Sequence, residues 1–187
     1  MKRIEQKEQT RLHLLSKAYS KFAETGFLST KTLDIATAAG VSHGTLFVHF
    51  PTKEELLTQA IDEFGMRMGM KLMQLTKDKE STREVLRAHL ETLEEYEPFY
   101  AHLVIEGPLL PRSVRNRIFA IQSGIAHYLE KTIQRKEGST PIHFVLNSWI
   151  GLIHYYLANR DIFAPGKSVI AVCGKDFLNH FINTFHL

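Results

Sequence analysis

Histidine and cysteine are the residues that could bind a metal ion or supply a nucleophile, and the chain has ten histidines and one cysteine. His143 and His154 are eleven residues apart and so share one face of a helix. A zinc site needs convergent ligands, and neither an HExxH motif nor a carboxylate–histidine pattern occurs in the sequence. Cys173 follows three apolar residues, a setting typical of a small buried hydrophobe rather than a redox-sensing thiol. We therefore predict no metal site, no cofactor and no enzymatic activity.

A second group of polar side chains lies between residues 42 and 53, in and just after the second of two predicted short helices. Residues 33–50 read LDIATAAGVSHGTLFVHF, and Gly40 separates two stretches with helical apolar spacing. A positive φ is expected at Gly40, because a Cβ would cost energy in that conformation. Ser42 is placed to cap the second helix. Two helices joined by a short turn that contains glycine form a helix-turn-helix.

The second of these helices has an outer surface that suits a DNA groove. On a helical wheel, Leu46 and Phe50 lie within about 40° of each other and define the buried side. Gly44 and Val48 fall nearly opposite, and His43 lies at the N-terminal end, which approaches base edges in helix-turn-helix proteins. Gly44 also lets the backbone come close to a groove about 12 Å wide. A helical corner in an enzyme or a structural bundle is the alternative interpretation.

The segment from Thr32 to Leu56 resembles the DNA-binding signature of the TetR family of bacterial transcriptional regulators. The family pattern is T-x-x-x-I-A-x-x-A-G-V-S-x-G-T-L-Y-x-x-F-x-x-K-x-x-L, and the segment here is TLDIATAAGVSHGTLFVHFPTKEEL. The resemblance implies an N-terminal helix-turn-helix DNA-binding domain of three helices. It further implies a C-terminal helical domain for ligand binding and dimerisation.

Carried over to this sequence, the resemblance assigns roles to single residues. It implies that Thr32 caps the second helix and touches a phosphate, and that Lys53 meets a phosphate at the start of the fourth helix. The family usually has tyrosine at position 47, whose hydroxyl bonds a phosphate, whereas Phe47 leaves only an apolar contact. The residues implied to contact DNA are Thr32, Ser42, His43, Gly44, Thr45, Phe47, Val48, His49 and Lys53.

Apolar spacing is helical along nearly the whole chain, so we predict an all-α fold of about nine helices, three of them before residue 51. The DNA-binding domain is expected to span residues 1–54, and the second domain residues 55–187. Predicted helices of the second domain end near Leu75, Tyr96, Gly107 and Gly138. The last two are expected at about 141–159, with Thr140 as N-cap and Pro141 as its first residue, and at about 168–186, with DIFAPGK as the loop between them.

Positive charge is concentrated in the N-terminal part of the chain. Residues 1–53 have eight Lys/Arg against four Asp/Glu, and the remaining residues have 15 against 16, which gives the net charge of +3. This distribution permits an anionic partner. The charged N-terminus does not read as a signal peptide, and no apolar run approaches the roughly 20 residues of a membrane span. We therefore expect a cytoplasmic protein without a membrane partner.

The resemblance implies a homodimer that represses transcription and leaves its operator when a small molecule binds. Its last two helices would form the dimer interface. Methionine and aromatic residues in the C-terminal part can line an adaptable apolar pocket or fill a core, so we expect an apolar or aromatic effector. The candidate ligand-binding residues are Phe64, Met68, Tyr96, Phe99, Tyr100, His102, Phe119 and Trp149.

Two other functions stay open at this point. A helical enzyme that modifies small molecules would turn over a substrate and would not retain DNA. A nucleoid-type DNA binder of the same fold, without a ligand, would have a closed C-terminal domain.

Overall fold

The computed structural model describes residues 2–79, 81–132 and 140–187, and the regular structure in these ranges is entirely helical. The prediction of an all-α fold with about nine helices is confirmed for this part of the chain. A 3₁₀ turn, Gly107–Leu109, follows α5. The α-helices are α1 (Lys2–Thr25), α2 (Thr32–Ala38), α3 (His43–His49), α4 (Lys53–Thr76), α5 (Thr82–Glu106), α6 (Arg112–Thr132), α7 (Ile142–Ala158), α8 (Arg160–Phe163) and α9 (Val169–Phe185).

Helix α4 leads from the N-terminal helices into the C-terminal bundle. It begins after Thr52, whose hydroxyl oxygen accepts a hydrogen bond from the Glu55 amide at 3.0 Å. Leu56, Phe64 and Met68 recur on one face of α4 and are buried. This apolar face packs against α1, α5 and α6.

Helix α5 is the centre of the bundle and packs against α1, α4, α6, α7 and α9. The predicted division into one helix that ends near Tyr96 and a short second helix that ends near Gly107 is wrong, because α5 runs without interruption through Pro98 to Glu106. A proline inside a helix costs about 3 kcal/mol, mainly through the lost N–H. The exposed face of α5 holds Pro98, while Phe99 and its neighbours are buried, and each such side chain contributes about 1.5–3 kcal/mol. The stabilisation from these buried side chains therefore outweighs the free-energy cost of Pro98.

The residue before Pro98 joins α5 to the last helix. Glu97 is buried, and its carboxylate accepts hydrogen bonds from the Ser168 hydroxyl at 2.6 Å and from the amides of Val169 at 2.7 Å and Ile170 at 3.0 Å. These donors lie at the N-terminal end of α9, where the helix dipole favours a negative charge. A buried carboxylate is thus satisfied by the start of a neighbouring helix.

The C-terminal helices differ from their predicted bounds in two places. Helix α7 begins at Ile142, and Pro141 is its N-cap rather than its first residue, so the prediction with Thr140 as cap is one residue too early. The first part of DIFAPGK is helical, because α8 includes Asp161–Phe163. The predicted helix end near Gly138 lies outside the described residues.

The N-terminal helices and the bundle share one hydrophobic core. Phe99 lies at their junction, with its ring stacked on Tyr19 at 4.5 Å and on Phe64 at 5.1 Å. Phe27, from the segment after α1, meets the edge of the same ring at 5.1 Å. The division at residues 54 and 55 stays a prediction, and the two parts are in close contact whatever their exact boundary.

Candidate nucleic-acid interface

Helices α2 and α3 are joined by a tight turn at Gly40. Gly40 has a φ of +67°, in the left-handed region that favours glycine. Its amide donates to the Thr37 carbonyl at 3.0 Å, and the Val41 amide donates to the Ala36 carbonyl at 3.1 Å. These bonds close the end of α2 and turn the chain into α3. The turn predicted from the sequence therefore forms as a helix-turn-helix.

Buried apolar residues hold the two short helices against the rest of the fold. Ile35 and Ala36 are buried on α2, and Leu46 and Phe50 are buried at α3, as their spacing predicts. Helix α2 packs on α1 and on α3. Since isolated helices of seven residues are unstable in water, this packing is what fixes the direction of α3.

The cap of α3 uses two of the predicted contact residues. The Ser42 hydroxyl oxygen accepts from the Thr45 amide at 3.1 Å, and the two hydroxyls are 2.8 Å apart. Ser42 is exposed and Thr45 is half-buried. Their hydroxyls therefore take part in the hydrogen bonds of the cap, and these bonds orient both side chains at the N-terminal end of α3.

Four predicted contact residues form the exposed face of α3. His43 and Gly44 are exposed, Phe47 is 40% exposed and Val48 is 69% exposed. The rings of His43 and Phe47 lie 4.9 Å apart. This face is mostly apolar, with His43 as its polar group, so it can meet a thymine methyl or the edge of a base pair.

The predicted capping role of Thr32 is wrong. Lys31 occupies the N-cap position of α2, where its amide donates to the Asp34 carboxylate at 3.3 Å. The threonine of the family pattern precedes the isoleucine by four residues, which corresponds to Lys31 when counted back from Ile35. The Thr32 hydroxyl instead lies 2.9 Å from Nε2 of His43, so it links α2 to the N-terminal end of α3.

His49 and Lys53 are less accessible than the other candidates. His49 is half-buried, and its Nδ1 is enclosed without a hydrogen-bond partner. The Lys53 ammonium donates to the Leu28 carbonyl at 3.4 Å, and burial lowers the pKa of this lysine, while the charge of Glu106 raises it. Their DNA contacts stay predictions.

The outer surface of α2 also has exposed residues that the sequence reasoning missed. Lys31, Leu33 and Thr37 are exposed there, next to the Thr32–His43 contact. The signal was present in the sequence for Leu33 and Thr37, because these positions lie about 160° from the buried Ile35 on a helical wheel. They extend the exposed face from α3 onto α2.

A cleft of about 460 Å³ lies between α5, α6 and α7. A smaller, enclosed cavity beside it holds about 20 Å³, room for roughly one water molecule. Leu103, Ile118 and Gln122 line both spaces. The cleft has the volume usual for small-molecule sites, whereas the enclosed cavity does not.

The structure brings together only half of the predicted ligand-binding residues. Phe64, Met68 and Tyr100 line the enclosed cavity, and Phe119 lines the cleft. The other four, Tyr96, Phe99, His102 and Trp149, line neither space.

These four side chains have other environments. Phe99 and Trp149 are core residues, and the His102 ring bonds Glu106 at 2.8 Å near the N-terminal helices. Tyr96 lies half-buried at the edge of Phe64. Large aromatic side chains fill cores as readily as pockets, so residue type alone could not separate the two groups.

The cleft also has polar lining residues that the sequence analysis did not identify. Gln122 lies on α6 and His154 on α7, and Nε2 of His154 is 2.6 Å from the Tyr100 hydroxyl. Their signal was weak, although the α6 residues recur at three- and four-residue intervals on one helix face. The missed lining residues of α6 are Arg112, Arg115, Asn116 and Gln122.

Two histidines near the cleft, the buried His89 and the half-buried His154, are held in the neutral form. His89 is buried, and its Nδ1 accepts from the Trp149 indole N–H at 3.0 Å. Burial, with a smaller effect of His154, lowers the pKa of His89 to about 4. Burial likewise lowers the pKa of His154 to about 4 and raises that of Tyr100. At neutral pH this group supplies hydrogen bonds but no charge.

Neither the histidines nor Cys173 assemble a metal or redox site in the described ranges. Within residues 2–79, 81–132 and 140–187, no three His, Cys, Asp or Glu side chains are placed to hold a metal ion. Cys173 is half-buried, and burial raises the pKa of its thiol, with Asp176 and Glu97 acting in the same direction. A raised pKa disfavours the reactive thiolate. In the same ranges, none of the helices combines the length and apolarity that a bilayer span requires.

Comparisons with known proteins agree with this geometry. Residues 14–60 match the family model described as bacterial regulatory proteins, tetR family. The transcriptional repressor KstR2 of Rhodococcus jostii is 33% identical over 86 residues, which are 46% of this chain and 42% of that protein. The chain spans about a quarter to two fifths of the length of the curated relatives it matches.

Solved structures match over nearly the whole chain. The fatty acid degradation regulator FadR from Bacillus halodurans has a TM-score of 0.73 at 18% identity and covers 92% of this chain and 94% of its own. FadR from Bacillus subtilis in complex with stearoyl-CoA has a TM-score of 0.66 at 21% identity, with coverage of 91% and 97%. At these identities the likeness establishes the fold alone. The helix-turn-helix of α2 and α3 lies within residues 14–60, the part of the chain that matches the model of the tetR family of bacterial regulatory proteins.

Proposed function

We propose that this protein is a DNA-binding transcriptional repressor that works as a homodimer in the cytoplasm and responds to a small molecule. The observation that carries the proposal is the exposed face of α3, with His43, Phe47 and Val48 on a helix that packing holds in place. A helix exposed only to water would normally present charged residues instead. A surface of this kind suits the major groove, where thymine methyl groups lie beside the hydrogen-bonding edges of the bases.

In this proposal α3 lies in the major groove and the flanking residues position it. Thr32 holds His43 from the α2 side, so the imidazole is oriented before DNA arrives. Lys31 lies at the start of α2 as an exposed cation, and Lys53 adds a second positive charge at the start of α4. Such groups fix the register on phosphates, while the α3 side chains select the sequence.

Exposed apolar residues of the last helices support dimerisation. Phe144 and Tyr155 on α7 are 59% and 60% exposed, and Val172 on α9 is 48% exposed. Large apolar side chains that recur on one region of a surface are typical of an interface. A dimer would present two copies of α3 to successive major grooves of one duplex, the usual arrangement for this motif.

A small molecule in the cleft would act on the DNA-binding part through contacts that begin beside the cleft. The carboxylate of Glu106, at the end of α5, accepts from the Leu28 amide at 2.7 Å and bonds the ring of His102. On α6, the hydroxyl of Ser113 donates to Glu54 at the start of α4. A ligand that moves the ends of α5 and α6 would thus move the segment before α2 and the start of α4.

The volume of the cleft distinguishes this proposal from the nucleoid-type alternative. A ligand-free DNA binder is expected to have a closed C-terminal part, and the 460 Å³ cleft counts against that. The Bacillus subtilis FadR, which has the same fold, was solved in complex with stearoyl-CoA. That complex supports the idea that such a bundle can hold a small molecule with an apolar chain.

The proposal is tested with DNA from upstream of the protein's own gene. In a mobility-shift assay at fixed salt, we expect retention of this duplex at protein concentrations that leave an unrelated duplex free. Compounds that occupy the cleft should reduce that retention. Equal retention of both duplexes would contradict the proposed sequence-specific repressor, and turnover of a compound without any DNA retention would favour an enzyme.

A further inference from the structure

We propose that the cleft between α5, α6 and α7 binds a small amphipathic anion, with its acidic group at Arg112 and Arg115 and its apolar body along Phe119 and Ile118. This inference rests on the proposed function, because it names the chemistry of the effector. It follows from the charge, the lining and the size of the cleft.

Positive charge at one end of the cleft lacks a counter-charge. Arg112 and Arg115 both lie in the first turn of α6 and line the cleft, and that turn has no acidic residue. Basic groups at a helix N-terminus are disfavoured by the helix dipole. In the described residues neither guanidinium has an ion pair, and no Asp or Glu lines the cleft. A bound anion would relieve this unfavourable electrostatics.

The nearest arginine on the same helix behaves differently. Arg117 forms an ion pair with Asp62 on α4 at 3.2 Å and does not line the cleft. The positive charge of the cleft therefore comes from Arg112 and Arg115, since His154 is neutral at pH 7, as its pKa of about 4 indicates. Arginine is also the side chain best suited to a carboxylate or a phosphate, because it donates two parallel hydrogen bonds.

Away from the arginines the lining becomes apolar. Ile118 and Phe119 on α6 face Leu103 and Val104 on α5 across the cleft. Phe119 is 72% exposed, so its ring is accessible to a ligand in the cleft. At the far end Gln122 and His154 supply hydrogen-bonding groups. An apolar body with one acidic end matches this order of residues.

The dimensions of the cleft limit the size of the ligand. From Arg112 to Gln122 the rise along α6 is about 15 Å at 1.5 Å per residue. The volume of about 460 Å³ lies in the lower part of the range usual for sites that hold small ligands. Decanoate, a ten-carbon carboxylate, fits both limits, whereas a stearoyl-CoA molecule is far larger than the cleft.

Isothermal titration calorimetry on the full-length protein tests the proposal with matched probes. Decanoate is compared with decanamide, its neutral counterpart, and with decylphosphonate, which distinguishes a carboxylate site from a phosphate-type site. The double variant Arg112→Gln/Arg115→Gln removes the proposed anion site. Arg117→Gln is the control, because it removes one positive charge from the same helix outside the cleft.

We expect the wild-type protein to bind decanoate at least tenfold more tightly than decanamide. The double variant should lose this preference at an unchanged melting temperature, and Arg117→Gln should keep it. Tighter binding of decylphosphonate than of decanoate would still support an anion site and would assign it to phosphate-type groups. Equal affinity for decanoate and decanamide, persistence of the preference in the double variant, or no binding of any probe would overturn the inference.

A DNA-retention assay with the same samples separates this inference from the proposed function. Selective DNA binding by a protein that ignores all three probes would refute only the inference about the ligand. Binding of decanoate that leaves a sequence-specific complex intact would support the anion site and contradict its proposed role in release.

Discussion

At the scale of single residues, the proposed DNA-reading surface of α3 depends on a few side chains with defined partners. His43 is bonded to Thr32 at 2.9 Å and packs against Phe47, so its ring is oriented before any DNA is bound. Val48 is 69% exposed, against 40% for Phe47, and it lies on the outer face of α3. A substitution at Val48 should therefore affect recognition without affecting the fold.

Val48→Glu should weaken operator binding by on the order of 100-fold, because a like charge facing phosphates costs several kcal/mol. The free energy of unfolding should change by less than about 0.5 kcal/mol, as is usual at exposed positions. Fluorescence polarisation with a labelled duplex measures the first and urea denaturation the second. Met70→Glu, at an exposed apolar position on α4, is the matched control and should bind DNA normally. Wild-type affinity in Val48→Glu would contradict the assignment of α3 as the reading helix.

His89 gives the stability a defined pH dependence. Its pKa is about 4 in the folded protein and near 6.5 in the unfolded chain, so the unfolded state binds more protons between these values. Stability should therefore fall as pH drops from about 6.5 to 4, by about 3 kcal/mol from this residue. His89→Gln should reduce that loss when urea denaturation is compared at pH 7 and pH 4.5. An unchanged pH dependence in the variant would show that His89 is not held neutral.

At the scale of elements, two sets of contacts fix the helices in relation to each other. One is the buried carboxylate of Glu97, which joins α5 to the start of α9. The other is the segment between α1 and α2, where Gly26 lies against Glu106 and His102. A different effect on the free energy of unfolding is expected when each set of contacts is disrupted.

Glu97→Gln should lower the free energy of unfolding by about 2–3 kcal/mol, since hydrogen bonds to a charged group contribute about 1.5–3 kcal/mol. The amide also brings an N–H group toward the backbone N–H groups of α9, where only an acceptor is useful. Urea denaturation measures the loss. Glu94→Gln, at an exposed position of the same helix, should change stability by less than about 0.5 kcal/mol. A loss as small as that of the control would contradict the capping role.

Gly26 and Gly40 must be glycine for different reasons. Both have positive φ, but a Cβ at Gly40 meets nothing within 4 Å, whereas a Cβ at Gly26 would collide with the Glu106 carboxylate. Gly40→Ala should therefore cost about 1–2 kcal/mol from backbone strain alone. Gly26→Ala should cost more than Gly40→Ala and should also disturb the Glu106–Leu28 hydrogen bond. Thermal unfolding of the two variants side by side gives the comparison, and equal losses would contradict the structural difference.

Local patterns were enough to predict the helix-turn-helix but not the cleft. The turn at Gly40, the cap at Ser42 and the buried Leu46 depend on neighbours within a few residues, so their types reveal the structure. The cleft depends on how α5, α6 and α7 pack across dozens of residues, and so Trp149 was indistinguishable from a pocket residue. Pro98 was misleading for a similar reason, because tertiary burial of Phe99 outweighs a local helix breaker. The basic face of α6 had a readable spacing, yet that spacing is equally typical of a solvated surface.

At the scale of the whole molecule, one core joins the DNA-binding helices to the bundle. Phe99 contacts rings from α1, α4 and the segment before α2, so the two parts cannot move independently without disturbing it. Polar contacts of Glu106 with Leu28 and of Ser113 with Glu54 add links beside the cleft. This arrangement suits a regulator in which occupancy of the cleft changes the position of α3.

The central claim, that α3 selects a DNA sequence, is tested most directly by selection from a randomised duplex pool at a stated salt concentration. The account predicts enrichment of an inverted repeat whose half-sites are centred about 10 base pairs, or a multiple of that, apart, one for each protomer of a dimer. Val48→Glu should fail to enrich the same repeat. Recovery of a pool with no enriched sequence by the wild-type protein would contradict the claim.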